Sequence, residues 1–276
     1  MKLGIDAGNY MVKICGEYGL MNFMSAIGEA RQINLQQVHG QDDMVFEYEG
    51  ETGFAGSLAQ YESEFGGSIM GNNKAHRDSK LRTLIGIHRY VSLYNLNEYE
   101  FDIVVGQPII NHTIEDKERI KTMLRGSHTI KVNGLEKSFN INRVEVGAEG
   151  ASAFWSNPNS GLVRIIDIGS GTTNYSTVLD GRFIDKDSGT LDFGMNTNKT
   201  NNPQSLSRGI VTHVLKKWKS TDQIVIVGGA AEQIQPHLKE YLPYVEVLYP
   251  IYNQQYVSPI FANAIAFYLI GVNVYE

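Results

Sequence analysis

The chain has 276 residues, 42% of them hydrophobic, with 24 Lys and Arg against 30 Asp and Glu for a formal net charge of −6. That is enough apolar material for one large core or two modest ones. It excludes strong direct binding to duplex nucleic acid, whose phosphates demand clustered cations, and a bilayer-spanning segment, because no apolar run is long enough.

From the start, residues 3–5 and 11–15 read as two strands joined by a glycine-containing turn, and 20–26 as a third after Tyr18-Gly19. The chain enters its first strand with no signal-like region. With Cys15 as the single cysteine, no internal disulfide can form; Cys15 reads as a core residue and the expected compartment is the cytoplasm. Leu81, Leu84, Ile85, His88 and Val91 form a helical stripe over 79–93. A short apolar strand over 101–105 ends at Gly106-Gln107-Pro108. Thr113 with Asp116 predicts a helix N-cap, and Ile120, Met123 and Leu124 its buried face. Residues 131–142 predict a hairpin around Asn133-Gly134, 142–146 a strand, and 148–155 a helix rich in small residues.

Asn157-Pro158-Asn159-Ser160-Gly161 is the best boundary. Beyond it, the opening pattern returns. A buried strand reaches Asp167, turns through Gly-Ser-Gly-Thr-Thr and continues as strands 174–179 and 182–185 around Asp180-Gly181. Residues 187–202 predict a polar loop. Asn202-Pro203 predicts the start of a helix with Leu206, Ile210, Val211, Val214, Leu215 and Trp218 on one face. A buried strand over 223–227 ends in Gly228-Gly229, followed by a helix over 231–241, a strand over 245–248 and a small-residue helix over 259–269. Strands alternate with helices in both halves, so the expected fold class is α/β.

The two Asp-x-Gly turns pose the functional question. A carboxylate at a strand end is held rigidly where the chain turns. Glycines beside it remove the Cβ atoms that would keep a ligand away, and their N–H groups can cradle an anion. A phosphate with Mg²⁺ uses both parts, N–H donors for oxygen and a carboxylate for the metal's water shell. No G-x-x-x-x-G-K-[ST] is present, and both turns open into strands rather than helices, which excludes a P-loop and a Rossmann fingerprint. Gly228-Gly229-Ala230 offers a flat surface for a base and ribose.

These residues resemble the actin-like ATPase superfamily. "IDAGNYMVK" is similar to its first phosphate motif, "IIDIGSGTTNYS" to the second, "IVIVGGAAE" to the adenosine motif, and "VEVGAEGASAF" and "PIFANAIAFYLIG" to the two connecting segments. Within the superfamily, the layout most resembles the bacterial plasmid-segregation actins of the ParM and AlfA type. The resemblance implies two ribonuclease-H-like domains around a nucleotide cleft. The first would span 1–157, with a small lobe at about 30–80, and a second, reduced domain 158–258; a C-terminal helix over 259–276 would return to the first. It implies ATP or GTP with Mg²⁺. Asp6 and Asp167 would hold the metal, Asp167 and Glu149 would be catalytic, and Lys13 would contact phosphate. Gly8, Asn9, Gly169, Ser170, Gly171, Thr172 and Thr173 would bind phosphate, and Gly228, Gly229 and Ala230 the base and ribose.

Three departures stand out. Asn9 replaces the usual Ser or Thr hydroxyl, no proline follows Glu149, and the interval between the second phosphate motif and Gly228 is short. The small lobe of the second domain is therefore expected to be missing, as in AlfA-type proteins. The implied function is a filament-forming ATPase that segregates plasmid DNA through a DNA-binding adaptor. Partners would be further copies of the chain and that adaptor, with no membrane and no direct DNA contact. Lys216-Lys217-Trp218-Lys219 is expected to face a helix C-terminus rather than DNA. The alternative is a small-molecule kinase of sugar or acetate type, or a polyphosphate hydrolase, on the same fold.

Overall fold

The computed structural model describes residues 1–34, 40–67, 73–200 and 202–275. Parts of the expected small lobe (35–39 and 68–72), residue 201 of the polar loop and the last residue of the C-terminal helix lie outside them. The first sheet contains β1 (Lys2–Ala7), β2 (Met11–Gly16), β3 (Gly19–Met24), β4 (Ile27–Glu29), β5 (Asp43–Tyr48), β6 (Glu51–Gly56), β7 (Glu100–Gln107), β8 (Gly126–Val132) and β9 (Leu135–Ala148). Their order is β3-β2-β1-β7-β9-β8-β5-β6-β4. The second contains β10 (Leu162–Ile168), β11 (Thr173–Leu179), β12 (Arg182–Phe183), β13 (Gly189–Leu191), β14 (Ile224–Val227) and β15 (Val245–Val247). Its order is β12-β11-β10-β14-β15, with β13 also on β11. A hairpin, β16 (Ile251–Tyr252) with β17 (Gln255–Tyr256), stands apart.

The internal repeat is a repeat of topology. β1 pairs antiparallel with β2 and parallel with β7; β10 pairs antiparallel with β11 and parallel with β14. Asp6 lies opposite Lys13 in the first hairpin, and Asp167 opposite Asn174 in the second. Parallel central strands are buried on both faces, which is why these runs are apolar without alternation.

Among the described residues, six helices cover the sheets: α1 (Ser57–Glu62), α2 (Arg77–Leu93), α3 (Ile114–Leu124), α4 (Pro203–Val214), α5 (Ala231–Lys239) and α6 (Ala262–Val274). The predicted caps form. Thr113 Oγ1 accepts from the Asp116 N–H at 3.1 Å, and Asn202 Oδ1 from Gln204 at 2.8 Å with Pro203 in the first turn. Asn133-Gly134 and Asp180-Gly181 take positive φ at both positions, as tight hairpin turns require. Leu81, Leu84, Ile85 and Val91 of α2 bury into the first core with Ile5, Ile14 and Ile103. Leu206, Ile210 and Val211 of α4 bury into the second with Ile166, Ile226 and Ile234. Cys15 is buried, and burial pushes its thiol far above the usual range.

Helix α6 carries the chain back to the first sheet and packs on β1, β2 and β7. The approach is close enough to demand a missing side chain. A Cβ on Gly4 would lie 2.2 Å from both the Ala264 oxygen and the Tyr268 nitrogen. Gly4→Ala is expected to destabilise the chain by about 3 kcal/mol, because backbone on both sides cannot yield as a side chain would. An unchanged urea midpoint would show that this contact is not what seats α6.

Several predicted elements differ. Residues 148–155 do not form an α-helix. β9 continues to Ala148, Gly150 takes φ +77°, and a 3-10 turn covers Ser152–Ser156, because the chain must bend sharply after Glu149. The polar stretch after 187 contains β13, whose Thr190 Oγ1 donates to Asn174 Oδ1 at 2.7 Å. α4 ends at Val214, so Leu215 is half-exposed and the lysines around Trp218 lie past the helix, where Lys217 Nζ donates to the Ser188 carbonyl. The C-terminal helix begins as a 3-10 turn at Pro259–Phe261 before α6. Among the described residues, only β12, a 3-10 turn, β13 and α4 stand between β11 and β14.

Candidate functional site

The carboxyl ends of β1, β10 and β14 converge on one cavity of about 360 Å³, lined from both sheets and from α6. The wall from the first sheet is the turn after β1, Gly8, Asn9 and Tyr10, with Asp6 and Lys13 at its base. Lys13 Nζ lies 3.0 Å from Asp6 Oδ2. Burial would depress the Lys13 ammonium, but the Asp6 carboxylate outweighs it and holds Lys13 above its ordinary value. Gly8 leaves the room this pair needs: a Cβ there would stand 2.8 Å from Lys13 Nζ and from the Met11 oxygen.

Gly169, Ser170, Gly171 and Thr172 form the opposing turn, after β10. Three of its carbonyls are bonded by the segment that follows β13, and the fourth, on Thr172, by the Gly169 N–H at 3.0 Å. Met195 N–H donates to Gly169, Asn196 N–H to Ser170, and Thr197 Oγ1 to Gly171. Thr173 is the one predicted ligand that the structure places off the cavity wall. It begins β11, is fully buried, and its hydroxyl donates to the Phe193 carbonyl at 3.0 Å. Its neighbour Asn174, on the opposite face of the strand, lines the cavity instead. Gly228, Gly229 and Ala230 line the cavity after β14. Gly228 takes φ +98°, and a Cβ would stand 2.5 Å from the Ile168 oxygen. That position therefore needs glycine twice over.

Two further carboxylates face the same space. Glu149 sits where β9 ends, its N–H donating to the Gln107 carbonyl at 2.9 Å. It is 8% exposed, and its Oε1 has no hydrogen-bond partner among the described residues. Burial pushes its carboxyl up to about 7, against the pull of the Lys74 ammonium. Asp167 is equally buried and is pushed up to about 6 by burial, an effect that a hydrogen bond from Asn263 opposes. Asn263 Nδ2 donates to Asp167 Oδ2 at 2.9 Å, while its Oδ1 accepts the Gly150 N–H at 3.0 Å. One side chain at the start of α6 thus ties the bend after Glu149 to the carboxylate of the second turn.

Sequence reasoning missed Asn263 and Lys74. Asn263 left a trace, as a polar residue in the otherwise apolar opening of α6. Lys74 left none: it lies in a polar stretch with no period, yet it is 5% exposed and lines the cavity. Burial pushes its ammonium below the usual lysine range.

The residues present fit a nucleotide with a divalent cation. Buried carboxylates whose protons are held too tightly, one with an orphaned oxygen, are what a cation would relieve. A glycine-lined turn on either side suits phosphate oxygens. Among the described residues no group of three His, Cys, Asp or Glu side chains stands ready to hold a metal alone.

Comparison with known proteins enters at this point. Solved structures share the fold over the full chain. An AlfA filament bound to AMPPNP aligns with TM-score 0.78 at 19% identity, covering 100% of this chain and 99% of that one. The filament structure of AlfA from a B. subtilis plasmid aligns at 0.79 and 19%, covering 97% and 98%. The apo psk41 ParM protein aligns at 0.75 and 17%, covering 99% and 97%. These likenesses establish an actin-like fold. A comparison of the sequence with curated proteins finds no match. A family model described as the N-terminal domain of actin like proteins matches residues 4–151, more than half of the 276. By that match, and with a fold that agrees from end to end, the chain belongs to the actin like proteins.

Proposed function

We propose that the chain is a cytoplasmic, filament-forming nucleoside triphosphatase that assembles with ATP·Mg²⁺ or GTP·Mg²⁺ and moves plasmid DNA through a DNA-binding adaptor. The observation that carries the nucleotide reading is the meeting, in one cavity, of two glycine turns from two sheets with Asp6, Glu149 and Asp167 between them. Assembly and segregation rest on the likeness to proteins described as filaments.

Residues 1–157 and 158–258 would act as two lobes, with 259–276 returning to the first. Asp6 and Asp167 would hold the water shell of the cation, which when bound neutralises phosphate charge. The turns at Gly8-Asn9 and Gly169–Thr172 would offer N–H groups to phosphate oxygens, Lys13 a cation, and Gly228–Ala230 a surface for base and ribose. Glu149 would orient a water toward the terminal phosphate and accept its proton. Little covalent work is needed, since phosphoryl transfer rests on positioning and charge. A carboxyl near neutrality suits a proton acceptor better than one in the ordinary range.

Negative-stain imaging with ATP·Mg²⁺, ADP·Mg²⁺ and no nucleotide tests the reading. Filaments with triphosphate are expected; soluble monomers that phosphorylate a sugar or acetate would select the kinase alternative. Among the described residues, little stands between β11 and β14 that could close over a base, so nucleotide affinity is expected to be higher above the assembly threshold than below it. Equal affinities would count against assembly completing the site.

A further inference from the structure

Lys74 is not accounted for by the roles above. Its ammonium lines the cavity although the residue is 5% exposed. Two of its protons are held by neutral oxygens of the first turn, Asn9 Oδ1 at 3.1 Å and the Ala7 carbonyl at 3.4 Å. Its own N–H donates to Gln107 Oε1 at 2.9 Å, which fixes the backbone beside the end of β7. Among the described residues it forms no ion pair, whereas Lys13, the other cavity lysine, is neutralised by Asp6 at 3.0 Å. Burying an ammonium whose direct partners are all neutral oxygens is costly, and a fold keeps such a group where an anion will meet it. Its position also says which part of the ligand it meets. Its oxygen partners belong to the first phosphate turn, and its neighbours in charge are Glu149 and Asp6. The wall at Gly229, by contrast, packs against Ile260.

We infer that Lys74 binds the terminal phosphate of the triphosphate, beside Glu149, and is the cation by which this site distinguishes triphosphate from diphosphate. The inference rests on the nucleotide reading and deepens it. A lysine suits the task, being a compact point charge on a stem that the cavity wall can bury. When the terminal phosphate leaves, Lys74 loses that anion as a direct partner, and the diphosphate state loses that stabilisation.

The test is a titration of AMPPNP·Mg²⁺ and ADP·Mg²⁺ into the full chain below its assembly threshold, by calorimetry or a fluorescent analogue. Wild type is compared with Lys74→Met and Lys74→Gln. Thermal unfolding of the empty variants checks folding, and Lys74→Gln can still donate to Ala7 and Asn9 if Lys74→Met loosens the turn. The expected result is about a 10- to 100-fold loss of AMPPNP affinity, the usual worth of a charged hydrogen bond. ADP affinity should change by less than about 3-fold, within the context dependence of a neutral contact. An equal loss for both nucleotides in Lys74→Gln would reduce Lys74 to a brace for the turn, and unchanged AMPPNP binding would remove it from the site. Wild type binding neither nucleotide would overturn the nucleotide reading itself, a failure visible before any variant is made.

Discussion

A Glu149→Gln chain is expected to keep its nucleotide, to hydrolyse it at least about 100-fold more slowly, and to be more stable than wild type when empty. The loss of rate is the usual cost of removing a positioned general base. The gain in stability follows from burial. The Glu149 carboxyl is pushed up to about 7 in the folded chain, against an ordinary 4.5. The folded state therefore binds more protons than the unfolded state between those values, and stability falls as pH rises through that window. Above it, the ionised carboxylate costs about 3 kcal/mol relative to an ordinary glutamate, the pull of the nearby lysines included. Glutamine removes that cost and keeps the shape. Without nucleotide, the variant should melt about 4 °C higher than wild type at pH 8, with the gap closing toward pH 5. Comparing variant with wild type at each pH cancels the opposing contribution of the buried His88 and His128 and the partly buried His112, which burial holds below the usual histidine range. A variant with wild-type turnover would show that Glu149 is a structural acid; one less stable at pH 8 would show that its charge is compensated in the empty chain.

Replacing Asp167 by Ala is expected to cut hydrolysis by about 100- to 1000-fold, the range seen when one electrostatic partner of a transition state is removed. It should also abolish the advantage that Mg²⁺ gives to triphosphate binding. Asp167 stands at the end of β10 with Asn263 on one oxygen, and a Cβ at Gly150 would stand 3.1 Å from its Cβ. Asn263 couples the second turn to the bend after Glu149, and Asp167 would hold a metal there through water. Removing the carboxylate leaves the Asn263 amide without its acceptor, so Asp167→Asn is the companion variant that keeps the packing. Both are read by titrating nucleotide with Mg²⁺ and with EDTA. Wild-type hydrolysis in either variant would move Asp167 out of the chemistry.

What was legible in the sequence was whatever local chemistry imposes. Glycines at 8, 169 and 228 are forced by the close approach of backbone or side chains, and the turns they make could be read from composition. Caps at Thr113 and Asn202, and hairpins at Asn133-Gly134 and Asp180-Gly181, are short-range and formed where expected. The bend after Ala148 was misread, because small residues at 150–153 suit a helix locally. Their reason is tertiary: a Cβ at Gly150 would stand 3.1 Å from Asp167 and Asn174. Thr173 lies off the cavity wall because the alternation of a strand, which motif continuity ignores, hands the wall to Asn174. Lys74 leaves no signal in the sequence and Asn263 only a polar residue in an apolar run, because each reaches the site from a distant segment and only the folded chain brings them to Asn9 and Asp167.

A structure of the chain with AMPPNP and Mg²⁺ tests the account most directly. The phosphates are expected between the turn at Gly8-Asn9 and the turn at Gly169–Thr172, with the cation between Asp6 and Asp167. Nucleotide bound elsewhere, or a cavity holding phosphates on one turn alone, would contradict it.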